Sequence, residues 1–139
     1  MFNKVVIAAD GSKHSERAAE KAIFLVKGND QAVIEVIYVV DGSTSKSDVL
    51  HNTDSYQIAE QRKEKIKGVL ELLHDAQVEY KVTVLHGEPG PAIVEYANTN
   101  GVDCVVIGSR GLNKLQEMVL GSVSHKVAKR VQCPVMLVK

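Results

Sequence analysis

The sequence predicts an α/β fold: a three-layer α/β/α sandwich around a five-stranded parallel sheet in the order 3-2-1-4-5. Three observations predict it. Strand-like apolar runs alternate with helix-length amphipathic stretches along the whole chain, which implies parallel pairing through right-handed crossovers. Runs one, two and four read as continuously apolar, as central strands covered on both faces do. The third alternates Tyr80, Val82 and Val84 with Lys81 and Thr83, which suits an edge.

Each element has its own signal. Strand one covers about 4–9. A helix follows near 13–28, with Ala18, Ala22, Leu25 and Val26 on one face, Ser12 as N-cap and Gly28 as stop. Strand two is Val33–Val40. Residues 41–53 are polar and aperiodic, and read as a mobile surface loop. A long helix at about 54–76 presents Ile66, Val69, Leu70 and Leu73 at helical spacing. Strand three is Tyr80–Leu85, and a short helix starts at Pro89 or Pro91 with Ile93 and Ala97 inward. Strand four covers 103–108, the last helix about 120–131, and strand five Val135–Val138. With neither repeat nor linker, residues 1–139 read as a single domain.

A chain of 139 residues can bury about two thirds of its unfolded surface. Its 45% hydrophobic and 24% charged content are those of a globular domain. No stretch approaches a membrane span, and Met1-Phe2-Asn3-Lys4 runs into a strand without a signal-peptide pattern. Cys104 and Cys133 form no Cys-x-x-Cys unit, and Cys104 lies in an apolar strand, so reduced thiols and a cytoplasmic location are expected. Zero net charge without basic–aromatic clusters argues against nucleic acid. That neutrality conceals an asymmetry: residues 108–130 hold Arg110, Lys114, Lys126, Lys129 and Arg130 against Glu117 alone. An anionic ligand is favoured there, although Lys126, Lys129 and Arg130 also read as an ordinary solvated helix face.

The motif of that basic segment is Gly108-Ser109-Arg110-Gly111, nine residues, then Gly121-Ser122. It begins at the carboxyl end of strand four, where open α/β sheets place their ligands, and ends where a helix opens. Glycines allow close backbone approach, and a helix start offers free amides and a positive dipole end. The spacing is neither G-x-G-x-x-G nor a Walker loop. It resembles the universal stress protein family, whose nucleotide-binding members carry Gly-x-x-Gly, nine residues, Gly-Ser/Thr. The resemblance extends to Val5-Val6-Ile7-Ala8-Ala9-Asp10, to Tyr38-Val39-Val40-Asp41, to Gly101-Val102-Asp103 and to Cys133-Pro134-Val135-Met136-Leu137-Val138. It implies the same 3-2-1-4-5 order, a Rossmann-like fold of the adenine nucleotide alpha hydrolase type, and a cytoplasmic ATP-binding regulatory or stress-response protein. Alternatives are a slow ATPase or nucleotidyl-transfer enzyme, and a nucleotide-free dimeric interaction module.

The predicted strand order brings Asp10 beside the glycine loop. The amides of Gly111, Gly121, Ser122 and Val123, with the hydroxyls of Ser122 and Ser124, are candidates for the phosphates. Gly108 would let a ribose or α-phosphate lie against strand four. Arg110, next to Ser109, could reach phosphate oxygens. The family resemblance implies that the backbone around Ala8, Ala9 and Asp10, together with Val39, borders the adenine and ribose. The Asp10 carboxylate could accept from a ribose hydroxyl, help to hold Mg2+ or Mn2+ near the phosphates, or simply cap a turn. Lys13 and Arg17 are left open. His14, His51 and His74 fall in exposed segments, His86 precedes the Gly87 turn, and His125 reads as a surface residue. None is spaced as a metal pair. No nucleophile triad stands out, so no catalytic residue is assigned and ATP hydrolysis is expected to be slow at most.

Strand five predicts a partner. Val135-Met136-Leu137-Val138 would be an edge without charge or polar alternation to protect it. Antiparallel pairing of two copies, as the resemblance also implies, would make a homodimer.

Overall fold

The computed structural model describes residues 1–42, 55–110 and 120–139. Most of the predicted 41–53 loop, and Gly111, Lys114 and Glu117, lie outside the described residues. The elements in order are β1 (Lys4–Ala8), α1 (Lys13–Val26), β2 (Val33–Val40), α2 (Ser55–Lys65), α3 (Lys67–Asp75), β3 (Glu79–His86), α4 (Pro89–Thr99), β4 (Cys104–Gly108), α5 (Ser122–Arg130) and β5 (Val135–Val138). The sheet is parallel throughout, in the order β3-β2-β1-β4-β5.

Alternation along the central strands makes two cores. Val5 and Ile7 of β1, Ile34, Val36 and Tyr38 of β2, and Cys104 and Val106 of β4 point to the layer of α1 and α3, meeting Ala18, Ala22, Ile66, Val69 and Leu73. Val6, Ile37, Val105 and Ile107 point the other way, to Ile93 and Ala97 of α4 and Val127 of α5. A period of two with both faces apolar is what a sheet between helical layers requires.

Local chemistry sets the helix ends. The Ser12 hydroxyl accepts from the Ser15 amide at 3.1 Å, and the Ser15 hydroxyl donates to the Ser12 carbonyl at 2.8 Å. The first turn of α1 is thus capped by its own residues. The long helix expected over about 54–76 is two helices, broken at Ile66 (φ −106, ψ 15). The Ile66 amide donates to the Lys63 carbonyl at 3.2 Å, a tightened turn that seats Ile66 in the core at 2% exposure. Even helical spacing could not show this, because the apolar stripe continues across the break.

Asp103 anchors the start of the sheet by accepting from the amides of Asn3 and Lys4, both at 2.9 Å. Those two backbone hydrogen bonds hold its carboxyl below the usual aspartate range.

Strand β2 departs from the expected apolar run. Glu35 is wholly buried on it. The hydroxyls of Tyr96 and Thr83 donate to Oε2, the latter at 2.9 Å. Lys81 and Lys4 stand 3.6 and 3.8 Å from Oε1. Lys81 is therefore more than edge protection: it lies in direct register with Glu35 across β2 and β3.

Candidate functional site

The two central strands part at their carboxyl ends. β1 and β4 are paired from Val5 opposite Cys104 to Ile7 opposite Val106. Just beyond, the Ala9 amide turns to the Ile37 carbonyl of β2 at 2.9 Å, and the Ser109 amide turns to Val138 of β5 at 2.7 Å. The backbone hydrogen bonds leave in opposite directions and open a crevice at the switch point of the sheet. Asp10, Ser109 and Arg110 follow directly on its two sides.

Two helix starts meet this crevice, and they differ. That of α1 is closed by Ser12, as described. That of α5 has Gly121 as its N-cap, which has no side chain to offer the first amides. Ser122 is exposed there and Val123 half-buried. The Gly121 amide donates to the Ser109 carbonyl at 2.9 Å, tying the helix start to the end of β4. An uncapped helix start beside Arg110 is suited to an anion.

The predicted site residues divide by role. Ala8, Val39 and Val123 are half-buried and pack against the same core, on the α4–α5 side, giving an apolar wall beside the crevice. Ala9 is buried in the opposite core, so only its backbone faces the site. The Asp10 carboxylate accepts from the Ser12 amide at 2.9 Å through Oδ1, across the left-handed Gly11 (φ +86), so the turn reading holds for that oxygen. A Cβ at Gly108 would come 2.6 Å from His14 Cβ and 3.1 Å from the Arg110 carbonyl oxygen, so this glycine lets α1 pack on β4. The Ser124 hydroxyl is buried and donates to the Gly108 carbonyl at 2.6 Å, fixing α5 to β4. Gly111, the second glycine of the motif, lies outside the described residues.

Sequence reasoning placed His14 on an exposed segment. The structure packs it against Gly108 in the first turn of α1, with Nε2 shielded from solvent and without a hydrogen-bond partner among the described residues. Burial, then the cations of Arg17 and Arg110, lower its pKa, against a smaller opposing effect of Asp10. These effects favour the uncharged imidazole. The only sequence signal was its place four residues after Asp10, one helical turn from the crevice. Arg17, left open by the sequence, donates from Nε to the Lys139 carbonyl at 3.0 Å, and Lys13 pairs with Glu16 at 3.3 Å. Among the described residues no group of three His, Cys, Asp or Glu side chains could hold a metal ion. No described helix is long and apolar enough to cross a membrane. Both cysteines are free, their thiol pKa values raised chiefly by burial.

The model of the universal stress protein family matches residues 1–139. The chain belongs to that family. Universal stress protein YxiE of Bacillus subtilis is 36% identical over 150 residues, with all of both chains covered. The solved structure of MJ0577 from Methanocaldococcus jannaschii is 29% identical with a TM-score of 0.82, covering 100% of this chain and 96% of its own. A family protein from Arabidopsis thaliana, solved with AMP bound, has a TM-score of 0.68 at 22% identity, covering 99% of this chain and 91% of its own, a likeness of fold. In this universal stress protein the crevice thus sits on a fold whose relatives include a nucleotide-bound structure.

Proposed function

We propose that this universal stress protein binds an adenine nucleotide, ATP foremost, and acts as a nucleotide-dependent regulatory protein of the stress response in the cytoplasm. The observation that carries the reading is the parting of β1 and β4 beside the uncapped start of α5. Ala8, Val39 and Val123 would border the adenine, and the free oxygen of Asp10 would accept from a ribose hydroxyl. The Gly121 amide is held by the Ser109 carbonyl, so the amides of Gly111, Ser122, Val123 and Ser124 and the Ser122 hydroxyl, with Arg110 beside them, would hold the phosphates. The donor set fits a divalent ion only as a companion of the phosphates, since Asp10 is the one carboxylate assigned to the site; Mg2+ or Mn2+ would neutralise phosphate charge there. AMP in the Arabidopsis relative supports the adenine preference. Calorimetric titration with ATP and magnesium tests the reading, with saturable binding at one nucleotide per chain expected.

The homodimer belongs to the same proposal. β5 is a sheet edge, and Leu137 on it is 36% exposed. Antiparallel pairing of β5 with a second copy would satisfy its free backbone groups and cover that leucine. Removal of residues 135–139 is expected to give monomeric or insoluble protein, and the full chain should sediment as a dimer. A full-length monomer at tens of micromolar would end this part of the proposal.

A further inference from the structure

We propose that the end of the molecule opposite the crevice carries a docking site for a basic segment of a partner protein, one with arginine next to an aliphatic side chain. The site does not depend on the nucleotide reading. It is a cavity of about 620 Å³ where α1 and α3 end and β2 and β3 begin, within the roughly 300–1,000 Å³ of ligand-binding clefts. The 14 residues of α1 put about 20 Å of helix between it and the crevice. Its wall is firm. Gly28 turns the chain at φ +82, and the Asn29 side chain donates to the Phe2 carbonyl at 2.8 Å and accepts from the Gln31 amide at 3.1 Å. A preformed cavity needs little reordering to be filled.

Three observations fix the kind of partner. The first is apolar surface. Phe24, which lines the cavity, is 73% exposed, and Ile23 and Val78 are half-buried parts of the same lining. They offer a seat for an aliphatic side chain and an aromatic ring on which a guanidinium can stack. The second is charge. Glu20, Asp30 and Glu79 are exposed lining residues that form no ion pair among the described residues, against Lys27 as the one cation of the lining. The third is the backbone. Both α1 and α3 bring their carboxyl ends to the cavity, where the partial negative charge of the last carbonyls adds to that of the carboxylates. Carboxylates alone would suit any cation, and apolar surface alone any apolar side chain. Together they call for a segment that is cationic and apolar at once. Nucleic acids and anionic lipid surfaces carry the same sign of charge and are repelled.

The test titrates the full chain, labelled with 15N, with a short peptide of alternating arginine and leucine while backbone amide resonances are followed. Saturable shifts are expected at residues 23–32 and 76–79. Phe24→Ala and Glu79→Lys are each expected to weaken binding about tenfold. Both side chains are exposed, so neither variant threatens the fold. Peptides alternating arginine with serine, or glutamate with leucine, should bind at least about tenfold more weakly, because each supplies one half of the match. No saturable shift at millimolar peptide would overturn the proposal. So would shifts centred elsewhere, unchanged affinity in either variant, or equal binding of the arginine–serine peptide, which marks bare charge attraction. Shifts of the same amides on raising the protein concentration without peptide would give the cavity to a second copy of the chain, and would overturn it too.

Discussion

Gly121→Val is expected to weaken ATP binding more than about 100-fold, about 2.8 kcal/mol, while the chain keeps its fold. Position 121 has φ −61 and ψ 155, extended backbone that valine adopts readily. A Cβ there meets Arg110 Cα and the Ser109 carbonyl oxygen at 3.6 Å and Ser124 Oγ at 3.9 Å, ordinary contacts. The backbone therefore has no objection to a side chain. The phosphates would, because the added methyl groups stand at the open start of α5. Gly108→Ala cannot serve the same purpose, since its Cβ would collide with His14 and disturb the packing of α1. Calorimetry and thermal melting of Gly121→Val together separate loss of ligand from loss of fold. Normal ATP affinity in this variant would mean that the phosphates lie elsewhere.

The second large effect concerns the buried carboxylate on β2. Glu35→Ala is expected to lower unfolding stability by about 3 kcal/mol, through a cavity in the sheet–helix layer and unpaired hydroxyls on Tyr96 and Thr83. The partly exposed Lys4 and Lys81 can turn to water, so their share of the loss is small. Glu35→Gln, which keeps an acceptor for both hydroxyls, should lose only about 1 kcal/mol. Urea unfolding monitored by circular dichroism measures both, with an unchanged slope marking an effect on the native state. A Glu35→Ala midpoint equal to that of wild type would contradict this account of the cluster.

The fold was largely legible because its signals are local. Val33–Val40 and Val135–Val138 stand where the pattern placed them, and Ser12 caps α1 as its residue type suggests. The strand order β3-β2-β1-β4-β5 satisfied the pattern of runs apolar on both faces and was the order the family resemblance implied. What escaped the sequence depends on neighbours distant along the chain. Glu35 reads as a stray charge until register sets Lys81 opposite it and α4 brings Tyr96 over it. The break at Ile66 is invisible to a stripe that continues through it. At the site, the meeting of Asp10, Gly108 and the start of α5 was accessible from topology alone. The uses of individual groups were not. Gly108 makes room for a helix, the Ser124 hydroxyl holds α5 to β4, and His14 faces inward, each through a contact made across more than ten residues or between strand and helix.

The central claim is that the crevice between β1 and β4 takes an adenine nucleotide. Its most direct measurement is isothermal titration of the full chain, stripped of ligand by unfolding and refolding, with ATP and magnesium. The account predicts saturable binding at one ATP per chain, lost in Gly121→Val; no binding at millimolar ATP would contradict it.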